Sequence, residues 1–149
     1  MPQSLSQVYV HLVFSTKDRA GLIPANIQTR LHAYVAGTLN AIGCPAVQVG
    51  GMPDHIHILF RLSRTVTISD VVKNVKVESS KWMKDECAVG EFAWQAGYGA
   101  FSVSASNVDE VTRYIQRQAE HHRVKSFQDE FRRLLELYQV EYDEAYVWD

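Results

Sequence analysis

The period of the hydrophobic residues switches along this chain between about two and about 3.6, and the order of the switches restricts the fold most. Residues 8–14 alternate, with Val8, Val10, Leu12 and Phe14 on one side and Tyr9, His11 and Val13 on the other, which predicts a strand apolar on both faces. Residues 16–21 are polar and predict a loop. Pro24 suits a helix start, and Ile27, Leu31, Tyr34, Val35, Leu39 and Ile42 recur at helical spacing up to Gly43. Residues 46–49 predict a second strand, residues 50–54 a turn, and residues 55–62 a third strand. Ile68, Val71, Val72, Val75, Ser79 and Trp82 form one stripe of a helix over 68–84, and residues 100–104 predict a short fourth strand. Ser106 followed by Asp109 has capping-box spacing, so a helix is expected from Val108 to about Arg123, with another over 127–138. The order β-α-β-β-α-β plus two helices predicts an α+β, ferredoxin-like antiparallel sheet with two helices on one face and the other face open. Additional C-terminal helices follow it.

Length and charge narrow the class further. With 149 residues and 46% hydrophobic content, the chain is expected to form a single domain over 1–149. It contains no long apolar run and no basic-then-apolar start, which predicts neither a membrane span nor a signal peptide. Cys44 and Cys87 stand apart without a CxxC pattern, consistent with two reduced thiols and a cytoplasmic location. The net charge of −2 does not mark a nucleic-acid binder, but its distribution is uneven. Residues 61–84 carry six basic side chains against two acidic ones, and residues 113–133 carry six against three. The last fourteen residues hold five acids and no base. Two local basic surfaces can therefore meet phosphate while the tail cancels them in the total.

Two constellations carry chemistry. In His55-Ile56-His57, strand geometry sends both imidazoles to the same side, a ready pair of metal ligands with coordination positions to spare. Tyr114, Gln118 and His121 fall on one face of a helix, with Gln118 a turn from Tyr114. A glutamine oxygen there can complete a metal site beside a phenol able to act as a nucleophile. Trp82, Phe92, Trp94 and Tyr98 offer either core packing or base-stacking surfaces. His121 and His122 read as solvated or packed histidines near a helix end, and His11 as a structural histidine.

Taken together, these blocks resemble the single-tyrosine HUH transposases of small bacterial insertion sequences, including those associated with repetitive extragenic palindromes. The resemblance rests on His11-Leu12-Val13-Phe14, on Gly51-Met52-Pro53-Asp54-His55-Ile56-His57, on Trp94-Gln95-x-Gly97-Tyr98 and on Tyr114-Ile115-x-x-Gln118-x-x-His121-His122. It implies that His55, His57 and Gln118 hold a divalent metal, Mg²⁺ or Mn²⁺, and that Tyr114 attacks a single-stranded DNA phosphodiester to form a 5′-phosphotyrosine link. It also implies a homodimer joined edge to edge through its sheets, and hairpin DNA as partner. Basic residues over 61–84 and Arg113, Arg117 and Arg123 are expected to track the DNA backbone. Where well-known members carry a glycine before the tyrosine helix, this chain has Ser104-Ala105-Ser106. The alternatives are a replication-initiator or relaxase-type nickase, and a non-catalytic nucleic-acid-binding module on the same fold.

Overall fold

In a computed structural model, which describes residues 2–122 and 125–149, four strands form one antiparallel sheet. The strands are β1 (Tyr9–Ser15), β2 (Ala46–Met52), β3 (His55–Arg61) and β4 (Gly99–Val103), in the spatial order β2-β3-β1-β4. The expected βαββαβ order is present, with α1 (Ala25–Ala41) and α2 (Ile68–Asp85) as the two crossovers. Alternation along the strands sorts the side chains into two layers. Val10, Leu12, Phe14, Ile56, Ile58 and Phe60 point toward α1 and α2 and form the main core with Leu31, Val35, Leu39, Val71 and Val75. A Thr67–Asp70 capping box starts α2: Thr67 Oγ1 accepts from Asp70 N at 3.0 Å and Asp70 Oδ2 accepts from Thr67 N at 3.4 Å.

The second layer departs from expectation. The opposite sheet face is covered by α3 (Val108–Gln116), α4 (Gln118–His121) and α5 (Phe127–Leu137) rather than left open. The cause is compositional. Val13, Leu59, Phe101 and Val103 leave an apolar surface on that face, and Ile115, Phe127, Phe131, Leu134 and Leu135 bury it. Two glycines allow the helices to come close. A Cβ on Gly50 would stand 2.8 Å from the Ile115 side chain and 2.9 Å from its carbonyl oxygen, and one on Gly99 would meet the Phe131 ring at 2.5 Å.

Three local expectations are also corrected. The strand β2 runs on through Gly50 and Gly51 to Met52, leaving only Pro53 and Asp54 as the turn, because Gly50 and Gly51 pair with His57 and Ile56 of β3. The capping box expected at Ser106 and Asp109 is absent. Residues Ala105–Asn107 wind into a 3-10 turn, so Ser106 lies within that turn, its hydroxyl 3.1 Å from that of Ser104. The helix expected from Val108 to Arg123 is interrupted at Arg117, whose φ of −100° and ψ of 23° separate α3 from α4; its far end lies outside the described residues.

The Trp94-Gln95 block serves the fold. Trp94 packs edge-on against Phe14 and Phe92, and its indole N–H donates to Ser79 Oγ at 2.9 Å. Gln95 Oε1 accepts from Ser15 N at 2.8 Å, closing the end of β1. Trp82 stacks on Tyr34, so of the four aromatics considered as stacking surfaces only Tyr98 is exposed. Cys44 and Cys87 are both free. Among the described residues, no helix is long and apolar enough to cross a membrane.

Candidate metal and tyrosine site

The turn at Pro53 and Asp54 ends where His55 begins, and β3 then holds His55 and His57 on the face toward α3–α5, both with no exposed surface. Each ring is fixed from behind. His55 Nδ1 donates to Asp54 Oδ1 at 2.7 Å, and His57 Nδ1 lies 2.8 Å from His11 Nε2. Such outer hydrogen bonds select the tautomer and aim the opposite nitrogen, Nε2, at the site. His11 therefore orients His57; burial, with His57 beside it, lowers its pKa to about 3 and keeps it neutral.

Both Nε2 atoms converge on one carboxylate that local sequence patterns do not mark, Glu130 of α5. Glu130 Oε1 lies 2.9 Å from His57 Nε2, 3.4 Å from His55 Nε2 and 3.2 Å from His122 Nε2. Its other oxygen, Oε2, accepts the Tyr114 hydroxyl and, at 3.0 Å, Gln118 Nε2. Gln118 Oε1 in turn lies 2.9 Å from His55 Nε2. The four residues expected from sequence, His55, His57, Tyr114 and Gln118, thus meet in one cluster despite the break at Arg117. His122 and Glu130 join them.

Burial and charge set the protonation states. Burial alone would raise Glu130, but hydrogen bonds from His122, His55 and His57 hold its pKa well below the carboxylate range. Burial also opposes protonation of His55, yet its bonds to Asp54 and Glu130 outweigh that and raise it to about 9. Burial pushes His57 down against the pull of Glu130. Burial and then the charge of Glu130 raise the Tyr114 phenol above its ordinary value, so it remains a protonated donor.

The donor chemistry fits a divalent cation. His55, His122 and Glu130 each offer a ligand atom, all within 4.8 Å of one another, and His57 Nε2 and Gln118 Oε1 lie at the same centre. Imidazole nitrogens, an amide oxygen and a carboxylate are ligands that Mn²⁺ and Mg²⁺ accept. Of the other tyrosines, Tyr34 stacks on Trp82 in the opposite layer, Tyr138 packs on Phe101, and Tyr142 and Tyr146 are exposed. The basic helix α2 likewise lies in the layer away from this cluster, whereas Arg113 and Arg117 are exposed on the tyrosine side; Arg123 lies outside the described residues.

A four-stranded βαββαβ sheet thus holds a His-x-His pair beside a tyrosine carried on a helix. Residues 4–118 match the IS200-like transposases, and the chain belongs to that family. It is 25% identical over 118 residues to the ISDra2 transposase TnpA of Deinococcus radiodurans, covering 75% of this chain and 84% of that one. The fold is similar to the crystal structure of a candidate transposase from Deinococcus radiodurans R1 (TM-score 0.61, 22% identity, 79% of this chain and 98% of that one). It is also similar to a REP-associated tyrosine transposase solved bound to a REP hairpin (TM-score 0.57, 14% identity, 82% and 74%). The family match ends at Gln118, so His122 and Glu130 lie beyond it.

Proposed function

We propose that this transposase cuts and rejoins single-stranded DNA through a covalent 5′-phosphotyrosine intermediate on Tyr114, with a divalent metal, Mg²⁺ or Mn²⁺, held by His55, His57 and Gln118. The observation that carries this reading is the Tyr114 hydroxyl bonded to the same buried carboxylate that faces both strand histidines. A phenol placed there meets any phosphate bound at the histidine centre. The metal, when bound, supplies Lewis-acid polarisation and charge neutralisation at that phosphate.

The chain's own residues supply the rest. Glu130 Oε2 accepts the hydrogen bond that orients the phenol, whose proton passes to water as Tyr114 Oη bonds to phosphorus. The bond from phosphorus to the 3′ oxygen breaks, and that oxygen leaves as a hydroxyl after taking a proton from water. The 5′-phosphate stays on Tyr114, and the reverse attack by a 3′-hydroxyl rejoins a strand. The DNA partner carries a hairpin, by analogy with the relative solved bound to a REP hairpin, and the strand cut beside it is single. The working form is a homodimer joined through a sheet edge.

The test is cleavage of a pool of labelled random-sequence single-stranded oligonucleotides. Cleaved products are expected with Mg²⁺ or Mn²⁺, are lost with chelator, and are much reduced on duplex DNA of the same composition. Cleavage that persists in excess chelator contradicts the metal role, and equal cleavage of duplex contradicts the substrate.

A further inference from the structure

We propose that the cleft between α3 and α5 is a nucleotide subsite that takes one unpaired deoxynucleotide beside the phosphate attacked by Tyr114. This deepens the proposed function and rests on it for the reacting phosphate, but not for the binding. The cleft opens directly from the Tyr114–Glu130 contact and has a volume of about 460 Å³. That lies within the range of small-molecule sites, roughly 300–1,000 Å³. From Tyr114 it follows α3 back to Asn107, about 10 Å along the helix axis at ~1.5 Å per residue, a length suited to one nucleotide.

The lining has the three chemistries a nucleotide needs. Val111 on α3 faces Leu134 on α5 and Tyr138 just beyond its end, giving apolar walls for the two faces of a base. Lys125 and Arg133 supply cations for phosphate oxygens. Asn107 and Glu110, both exposed at the mouth, offer a donor and acceptors for a base edge. An independent observation points to a ligand here. His121 lines the cleft with its ring against Tyr114, at 4.5 Å between centroids, and its Nε2 is buried with no hydrogen-bond partner among the described residues. A buried ring nitrogen left without a partner is costly, and a small rotation of the His121 ring that turns Nε2 toward a polar group of a bound nucleotide relieves that cost.

The test is an NMR titration of the full chain with dAMP, dCMP, dGMP and dTMP, without added metal. Saturable shifts are expected on Val111, His121 and Leu134. Val111→Trp, which fills the cleft, should abolish them, and Glu110→Gln, at an exposed position on the first turn of α3, should change the preference among the four nucleotides by roughly tenfold. No shifts at millimolar nucleotide, or shifts unchanged in both variants, overturn the subsite. Covalent capture of the random oligonucleotide pool separates the two readings. Nucleotide shifts without any Tyr114 adduct leave the subsite standing and contradict the enzymatic reading. An adduct with no base preference at either nucleotide flanking the joined phosphate, together with no shifts, removes the subsite and leaves the enzyme.

Discussion

A carboxylate as deeply buried as Glu130 remains an anion only because donors surround it, and here those donors are three imidazoles, a carboxamide and a phenol. The arrangement links protonation to stability. Because His55 is raised from its ordinary value to about 9, its contribution is fully present below pH ~6.5 and is lost as the pH rises through about 9. Thermal melts of the metal-free protein should therefore decline across that window, and Glu130→Gln should flatten the decline by removing one of the two carboxylates that hold the proton. An equally steep decline in Glu130→Gln contradicts this assignment. With metal the same histidines become ligands, so His57→Ala should bind Mn²⁺ at least tenfold more weakly in calorimetry while remaining folded. Unchanged Mn²⁺ affinity would remove His57 from the site. His55 and His57 were legible in the sequence because residues two apart on a strand share a face, whereas Tyr114 and Gln118, expected one helical turn apart, meet although Arg117 breaks that helix. Glu130 was not legible. It reaches the histidines only because α5 folds back over the sheet, and a lone glutamate on an amphipathic helix carries no pattern that marks it as buried.

At the scale of elements, the approach of α3 to the sheet depends on the missing side chain at Gly50. In Gly50→Ala the new methyl would press on the backbone of Ile115 as well as on its side chain, so the helix itself has to shift. The layer formed by α1 and α2 lies on the opposite face and should keep its packing. The expected outcome is a folded protein, less stable by about 1–3 kcal/mol, with Tyr114 adduct formation reduced far more than the stability loss explains. Full adduct formation in Gly50→Ala would mean that α3 is not seated as described. The same glycine explains one misreading. Gly50-Gly51 has turn composition, yet both residues pair with β3, because a close helix above a strand also demands glycine. The break at Arg117 was invisible for a different reason. No proline or glycine marks it, and Gln118 turns inward to reach His55 and Glu130, a tertiary contact that outweighs local helix preference. The order of strands along the chain and the two crossover helices, by contrast, follow from hydrophobic period together with the Pro24 and Gly43 signals.

For the molecule as a whole, both sheet faces are covered, so β2 and β4 at the two edges are the places where a second copy could extend the sheet. Light scattering should give a dimer mass, and a monomer mass at every practical concentration would contradict the edge-to-edge assembly. Within one chain Tyr114 already meets His55, His57 and Gln118 through Glu130, so each subunit of such a dimer carries a complete set of these groups. The open face expected from the element order is filled because the residues after β4 supply the second layer, which the ferredoxin-like pattern itself does not specify. The central claim is that one phenol of seven, Tyr114, is the nucleophile. It is tested most directly by incubating the protein with the single-stranded oligonucleotide pool and divalent metal, denaturing, and mapping the DNA-linked peptide by mass spectrometry. The predicted result is one adduct on Tyr114 that disappears in Tyr114→Phe, while that variant keeps its fold and its DNA binding. An adduct that survives in Tyr114→Phe, or that maps to Tyr138 or Tyr142, contradicts the mechanism.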